Sequence, residues 1–509
     1  MDTPSPAPSG PAPIKKVVIC GRDVAAWLAA NALARAFGPT GLVIEVVELP
    51  SQLRPHDIVA SLPALEALHR LLGFDEYELL KATAGTYSLG QKFVNFSGAR
   101  PPFFHPYSGH GTTIGRSPFT PLYIQARHAG MNVAFEDFSL GAAAAKQGRF
   151  FLPTPDINAF NTCGYAYHMN AAAYAAVLKA QARRQGVTEV PARAFEAARD
   201  AGGNVRALHL ADGRVAEGDL FVDATGADSL LLGTAMGVGV DSWAGWFPDN
   251  RVLNAAADPL RSFPPYSQVQ ALNTSVLHLT PLQTMTGLTH VYYSDDMRDD
   301  EALELASVIT NLRLRAGATV SELRAGRRDR AWDRNVVAIG EAACVFNPID
   351  NPGLHALHLG LVHLIGLFPL TTSTGIEAAE YNRTIRQSFE RIRDFQIGHV
   401  KLNQNFDKPY WDGARGVAIP DTLRDKIDLF LARGRILTLD QETFENEDWL
   451  SLFFGHGLLP QSWDPIADSV SKDEAVRQFQ RILGFVREQV EGMNSHDAFL
   501  EVHAARDFV

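Results

Sequence analysis

One stretch near the start of the chain limits the possible folds more than any other. Lys16 to Cys20 is a short apolar run, Gly21 follows at once, and an Ala-rich amphipathic segment extends from Val24 to Phe37. A second apolar run, Leu42 to Val47, ends at Glu48. The two runs read as strands and the middle segment as a helix, by period and by length. Strand, glycine turn, helix and strand in this order open a dinucleotide-binding domain. In such a unit Gly21 allows the tight turn and Ala26 stands at the helix–strand packing position. Glu48, about twenty residues past the turn, meets ribose hydroxyls.

A second stretch, Val336 to Gly360 (VVAIGEAACVFNPIDNPGLHALHLG), points to the same chemistry. Val336 to Ile339 reads as a buried strand that breaks at Gly340-Glu341. A loop with Asn347, Pro348, Asp350, Asn351 and Pro352 follows, then a helix opened by Gly353. A strand that stops at glycine and re-enters a helix aims free backbone N–H groups at one spot. That geometry holds an anion or the polar chain of a nucleotide. Asp219 to Gly226 (DLFVDATG) is a third apolar strand running into a turn. The candidate cofactor-binding residues are therefore Gly21, Ala26, Glu48, Gly226, Gly340, Glu341 and Gly353.

Elsewhere, Leu62 to Leu72, Asp75 to Ala82, Asn170 to Gln185, Glu301 to Ala316 and Glu377 to Gln404 read as helices. Tyr87 to Phe96 alternates as one strand, and Leu272 to Ser294 holds two more. Glu189 to Ala211 reads as strand-turn-strand with Gly202-Gly203 at the bend. Gly98 to Phe151, rich in Gly, Pro and aromatics, reads as long functional loops. From about Pro409 helices wrap the first domain. The expected division is a disordered tail over 1–13, a cofactor domain over 14–400 with inserted substrate-facing segments, and a helical region over 401–509.

The net charge of −11 and the lack of a basic run argue against a nucleic-acid partner. No run approaches the ~18 apolar residues of a membrane span. The opening MDTPSPAPSGPAP has no apolar core and reads as a tail rather than a signal peptide. Three scattered cysteines, Cys20, Cys163 and Cys344, suit a reducing, cytoplasmic setting. His355 and His358 share a helix face with Asp350 nearby, but packing histidines explain them better than a metal site. The arginine run Arg313 to Arg334 reads as a solvated or cofactor-facing surface, and Trp332 as a packing residue.

The Gly340-Glu341 pair after an apolar strand resembles the second flavin fingerprint of FAD monooxygenases. From about Ile14 onward the chain resembles the flavin-dependent halogenases of the tryptophan-halogenase type. The likeness rests on VVICGRDVAAWLAA, YSLGQKFVNF, YHMNAAAY, GDLFVDATGADSLLL, RRDRAWDRNVVAIG, PIDNPG and KPYWDGARGVAIPDTLRDKIDLF. It implies an α/β fold: an FAD/NAD(P)-binding Rossmann-like domain of the FAD-monooxygenase type, with a mixed sheet and a mainly helical C-terminal substrate portion. It also implies FAD as cofactor, a separate flavin reductase, a small aromatic substrate or ligand, and a possible homodimer. In that family reduced FAD and oxygen give a hydroperoxide, and halide converts this to hypohalous acid. A lysine receives the oxidant through a tunnel, and a glutamate assists substitution on an aromatic ring.

Several positions depart from that pattern. Of the family's Gly-x-Gly-x-x-Gly only Gly21 remains; Asp23 and Ala26 take the other two places, and Arg22 could offset the charge of Asp23. The Gly-Val-Gly-Glu segment becomes His56-Asp57-Ile58-Val59. Ser88 stands at the lysine position, and Lys92, on the same face of an unbroken strand, would lie ~13 Å away. Asp350 stands at the glutamate position, as a shorter base or as a loop organiser. Asn351-Pro352-Gly353 replaces Ser-Thr-Gly, and Pro352 has no N–H to offer a halide. Val276 to Pro281 replaces Trp-x-Trp-x-Ile-Pro, keeping only the proline. The catalytic candidates are thus Asp350 and Ser88. The expectations are a flavoprotein with altered or lost halogenation, a catalytically silent ligand- or partner-binding paralogue, and, last, ordinary halogenation.

Overall fold

The computed structural model describes residues 12–154 and 163–504. At its centre lies a six-stranded sheet ordered Trp332–Asp333, Val336–Ala338, Leu220–Ala224, Lys16–Gly21, Val43–Glu48, Thr188–Pro191. All neighbours are parallel except the short outer strand Trp332–Asp333. Val17 to Cys20 and Leu220 to Val222 are fully buried, as expected for parallel strands covered on both faces. Helix Asp23–Phe37 buries Trp27 to Leu33 against the sheet and packs on helix Ala171–Arg184. Gly21 stands opposite both Ala224 and Glu48, and Asp223 opposite Ala338. The carboxyl ends of four strands are therefore flush, and they form the edge at which such sheets bind ligands.

A seven-stranded mixed sheet runs Thr319–Glu322, Arg251–Ala257, Thr286–Tyr292, Ser275–Pro281, Ser267–Ala271, Gly90–Val94, Phe103–Pro106. Its register sets Ser267 beside Gln91, and Val269 beside both Phe93 and His278. Paired residues project to the same side, so Gln91, Phe93, Ser267, Val269 and His278 share one buried face. The last turns of helix Gly375–Lys401 lie against it, with His399 stacked on Phe93 at 4.2 Å. Helices Pro409–Gly416, Asp421–Arg433, Asn446–Gly455 and Lys472–Glu491 make up most of the C-terminal part.

The Tyr87–Phe96 segment is not one strand. Thr86–Ser88 joins a small sheet with Ala166–Asn170, whereas Gly90–Val94 enters the seven-stranded sheet. Gly90 makes the break at φ 152°, and a Cβ there would sit 2.2 Å from the His105 carbonyl oxygen. Ser88 and Lys92 consequently do not share a strand face. Helix Asp299–Thr310 stops short of Ala316, because Asn311 takes a left-handed conformation (φ 52°) and caps it. Gly98 to Phe151 contains strand Phe103–Pro106 and helices Phe119–His128 and Leu140–Lys146. The aromatic residues read as loop markers are what order it: Phe119, Tyr123, Phe135 and Phe138 pack on one another and on Phe454 and Phe479. The 189–211 region gives one strand to the parallel sheet and then a hairpin turning at Gly203 (φ 85°).

The tail lies mostly outside the described residues. Ala12 and Pro13 are tied down: the Ala12 carbonyl accepts from Thr372 N–H at 2.8 Å, and Pro13 bridges to Thr371. Among the described residues no helix is long and apolar enough to cross a membrane.

Candidate active site

The flush edge of the parallel sheet has the features of a nucleotide cradle. A Cβ on Gly21 would lie 2.4 Å from the Ala224 carbonyl oxygen, so only glycine fits. Helix Asp23–Phe37 begins two residues later and aims its N-terminus at this edge. Asp23 holds the left-handed conformation (φ 57°) that a glycine would adopt easily. Its carboxylate accepts the Gln52 N–H at 3.1 Å and so binds the loop after the second strand. Arg22 Nε is buried without a hydrogen-bond partner.

Glu48 accepts from Trp27 Nε1 at 3.1 Å and Lys179 Nζ at 2.6 Å, with Lys179 also lying over the Trp27 ring. A cleft of about 720 Å³ opens beside it, walled by Ser51, Pro191, Arg193 and Asp212. Gly226 (φ 81°) and Gly340 (φ 56°) end their strands in conformations suited to glycine. Glu341 is solvent-facing, and a Cβ on Gly226 would be 4.0 Å from its Oε2, so these two strand ends converge. Ala26 is fully buried in the helix, and Gly353 opens helix Gly353–Gly366. An orphan guanidinium nitrogen, a glycine edge and two helix N-termini suit the phosphates of a dinucleotide. Asp223, unremarked in the sequence, organises this edge: its carboxylate accepts from Thr225, Ser229, Leu231 and Leu232.

The chemistry-bearing residues meet deeper in the molecule. Asp350 is 1 % exposed and left-handed (φ 65°), and neither carboxylate oxygen has a hydrogen-bond donor. His399 Nε2 is 3.3 Å from Asp350 Oδ1, and His399 Nδ1 is 3.3 Å from His456 Nε2. Gln396 fixes the loop by donating to the carbonyls of Asn347 and Ile349.

Ser88, also 1 % exposed, donates its hydroxyl to the Gly90 carbonyl at 3.0 Å. Tyr107 lies beside Gln91, Ser88 and Asp350, and burial raises the pKa of its hydroxyl. His278 has no partner on either ring nitrogen, and burial pushes it down to about 4 although Asp350 pulls the other way. The fold thus gathers Ser88, Gln91, Tyr107, His278, Asp350 and His399 around one interior.

Tyr107 also lines a cleft of about 720 Å³ that reaches the surface past His105, His110, His355 and Phe444. Two of these are fixed by carboxylates, His105 by Asp448 and His110 by Glu447, each at 2.8 Å. His355 bonds to Thr443 and is pushed down to about 3 by burial. Among the described residues no group of three or more His, Cys, Asp or Glu is placed to hold a metal. The arginine run is largely paired, for example Arg327 with Asp241 and Glu390, and Trp332 packs on Tyr381.

Nothing in the sequence singles out Gln91, Tyr107, His399 or His456, and His278 stands out only at the place of a tryptophan in the resembled motif. A histidine in register with apolar neighbours on a buried strand was the available signal for His278. His399 and His456 lie on other elements than Ser88 and Asp350, and nothing local marks them.

The family model for tryptophan halogenase matches residues 16–472. The tryptophan 6-halogenase ThaL of Streptomyces albogriseolus is 26% identical, over 97% of this chain and 99% of that protein. BrvH, a flavin-dependent halogenase from Brevundimonas sp. BAL3, superimposes with a TM-score of 0.91 at 31% identity, covering 96% of this chain and 99% of that one. Xcc4156, a flavin-dependent halogenase from Xanthomonas campestris, gives a TM-score of 0.92 at 29% identity, covering 96% and 98%.

Proposed function

Because the chain belongs to the tryptophan-halogenase family, which binds FAD, we propose that it is a flavin-dependent oxidoreductase that has given up lysine-relayed halogenation. Its substrate is a small aromatic compound admitted past His105 and Tyr107, and a separate flavin reductase supplies the reduced cofactor. The observation that carries this reading is Ser88. It stands where the resemblance places the lysine, it is buried, and its hydroxyl is spent on the Gly90 carbonyl. A serine so engaged offers no amine to hold or pass on an oxidised halogen. Pro352 supports the same reading, since it lacks the N–H that would face a halide.

When bound, reduced FAD supplies the activation of oxygen; Gly21, Arg22, Glu48, Gly226, Gly340, Glu341 and the helix opened by Gly353 would hold it. The remaining work falls to side chains of this chain. Asp350 accepts a proton from the aromatic substrate. Tyr107 orients that substrate through its hydroxyl, which lies beside Gln91 and Ser88. Asp350 and Ser88, each 1 % exposed, lie away from bulk water, which strengthens the polar contacts made there. The three free cysteines support a reducing, cytoplasmic setting.

The test is a reductase-coupled assay with FAD, bromide or chloride and a panel of indoles and phenols. Substrate-dependent oxygen consumption without halogenated product fits the proposal. The second reading, a silent paralogue, draws on the loss of glycine at Asp23 and of the halide-facing N–H at Pro352. It predicts no binding at near-millimolar FAD, or binding without any substrate-stimulated oxygen consumption.

A further inference from the structure

We propose that Asp350, His399 and His456 form one proton-sharing line, in which His399 is the positioning residue that receives the proton accepted by Asp350. The inference deepens the reading of Asp350 as proton acceptor and rests on it.

Four observations carry it. First, Asp350 has no donor on either oxygen although it is almost fully buried. A carboxylate whose task was to shape the loop would bond the following N–H groups, and Pro352 has none. Second, His399 is the group that faces it: 3.3 Å separates Nε2 from Oδ1, Nε2 has no hydrogen-bond partner either, and His399 is 0 % exposed, so two buried unsatisfied groups stand against each other. Third, the imidazole plane is fixed. Phe93 stacks on it at 4.2 Å with planes 10° apart, and Phe395 closes edge-on at 5.4 Å. Orientation then leaves Nδ1 facing His456 Nε2 at 3.3 Å. Fourth, His456 is held neutral, because burial and the neighbouring His399 both push its basicity down, against the pull of the Leu402 and Phe96 carbonyls. The titratable groups around the line are few. His278 and Tyr107 face Asp350 from the seven-stranded sheet and the segment after it, and Phe93, Phe96 and Phe103 supply apolar walls.

The substrate's X–H bond breaks with its electron pair left on the substrate, and its proton reaches an Asp350 oxygen. The proton moves on from Asp350 to His399 Nε2, which restores the carboxylate and leaves an imidazolium beside it. His456 Nε2 shares the His399 Nδ1 proton and spreads the positive charge. When product departs, the stored proton returns through Asp350 to water entering the cleft lined by Tyr107, and His399 is neutral again. The pair carries no net charge while the proton is stored, which is the arrangement a buried site tolerates. A carboxylate at the shorter aspartate length is thereby rescued as a base by a fixed neighbour rather than by reach.

The test uses full-length protein with 15N-labelled histidine, the His399 signals being assigned by their loss in His399→Gln. Replacing Asp350 with Asn should lower the proton occupancy of the His399 ring between pH 5 and 8; an unchanged titration would overturn the proposal. This readout needs neither FAD nor turnover, so it stands even if no aromatic substrate is consumed and the functional reading itself falls. Where turnover is measurable, His399→Gln should lower kcat at least tenfold and displace the acid limb of the kcat–pH profile while leaving KM within twofold. A uniform loss with an unmoved pH profile would show a merely structural histidine.

Discussion

Replacing Asp350 by Asn separates a functional carboxylate from one that holds its loop together. Asparagine has the same shape and is one of the few residues at ease in the left-handed conformation that Asp350 adopts. The substitution therefore changes charge and little else. In the folded protein both oxygens lack donors at 1 % exposure. Leaving such a group unsatisfied costs roughly 1–3 kcal/mol, and more when it is charged. Asparagine leaves the site equally short of partners but removes the additional cost of the charge. Asp350→Asn is expected to raise the free energy of unfolding by about 1 kcal/mol, seen as a higher urea midpoint by tryptophan fluorescence. Turnover in the reductase-coupled assay should fall by about 100- to 10,000-fold, the range for loss of a general base. A lower urea midpoint, or turnover within threefold of the parent, would return Asp350 to a loop-organising role.

Other substitutions probe the cofactor edge and the buried histidines. Gly21→Ala drives a methyl to within 2.4 Å of the Ala224 carbonyl oxygen; it should cost about 1–3 kcal/mol of stability and abolish FAD binding, measured by flavin fluorescence titration. Arg22→Ala should weaken FAD about tenfold, as expected for losing one charge-assisted contact worth ~1.5 kcal/mol, while the circular dichroism spectrum stays unchanged; equal affinity would place Arg22 outside the phosphate site. The protein should also be acid-sensitive. Burial pushes His278 and His496 down to about 4, and His69, His168 and His355 to about 3. Unfolded, each would take up a proton near pH 6.5, so the unfolded state binds more protons below that pH and stability falls as pH drops from about 6.5 toward 4. Each imidazole contributes up to ~1.4 kcal/mol per pH unit in that window; a melting temperature that is flat from pH 7 to pH 5 would contradict it.

The cofactor half of the molecule was legible because its signals are local. The strand predicted to begin at Lys16 spans Lys16–Gly21, the helix predicted from Val24 spans Asp23–Phe37, and the next strand ends at Glu48 as expected. Apolar period and a glycine turn suffice for those. The segment around Ser88 was misread because alternation continues through Leu89 and Gly90 while the chain changes sheets. Only the close approach of Gly90 to the His105 carbonyl, a long-range contact, forces the break. The aromatic-rich 98–151 region misled for a related reason: its helices are held by Phe454 and Phe479, more than three hundred residues on. His399 sits in a helix that was read as such, but its meaning depends on Phe93, Asp350 and His456 meeting around it, which no spacing along the chain encodes.

What the unmodified protein does with halide decides whether lysine-relayed halogenation has been given up. Purified protein, FAD, a flavin reductase with its nicotinamide donor, bromide and an indole panel would be incubated and the products read by mass spectrometry. Bound FAD and no bromine in any aromatic product are expected. A product carrying the paired isotope signature of bromine, absent when the protein is omitted, would contradict that expectation.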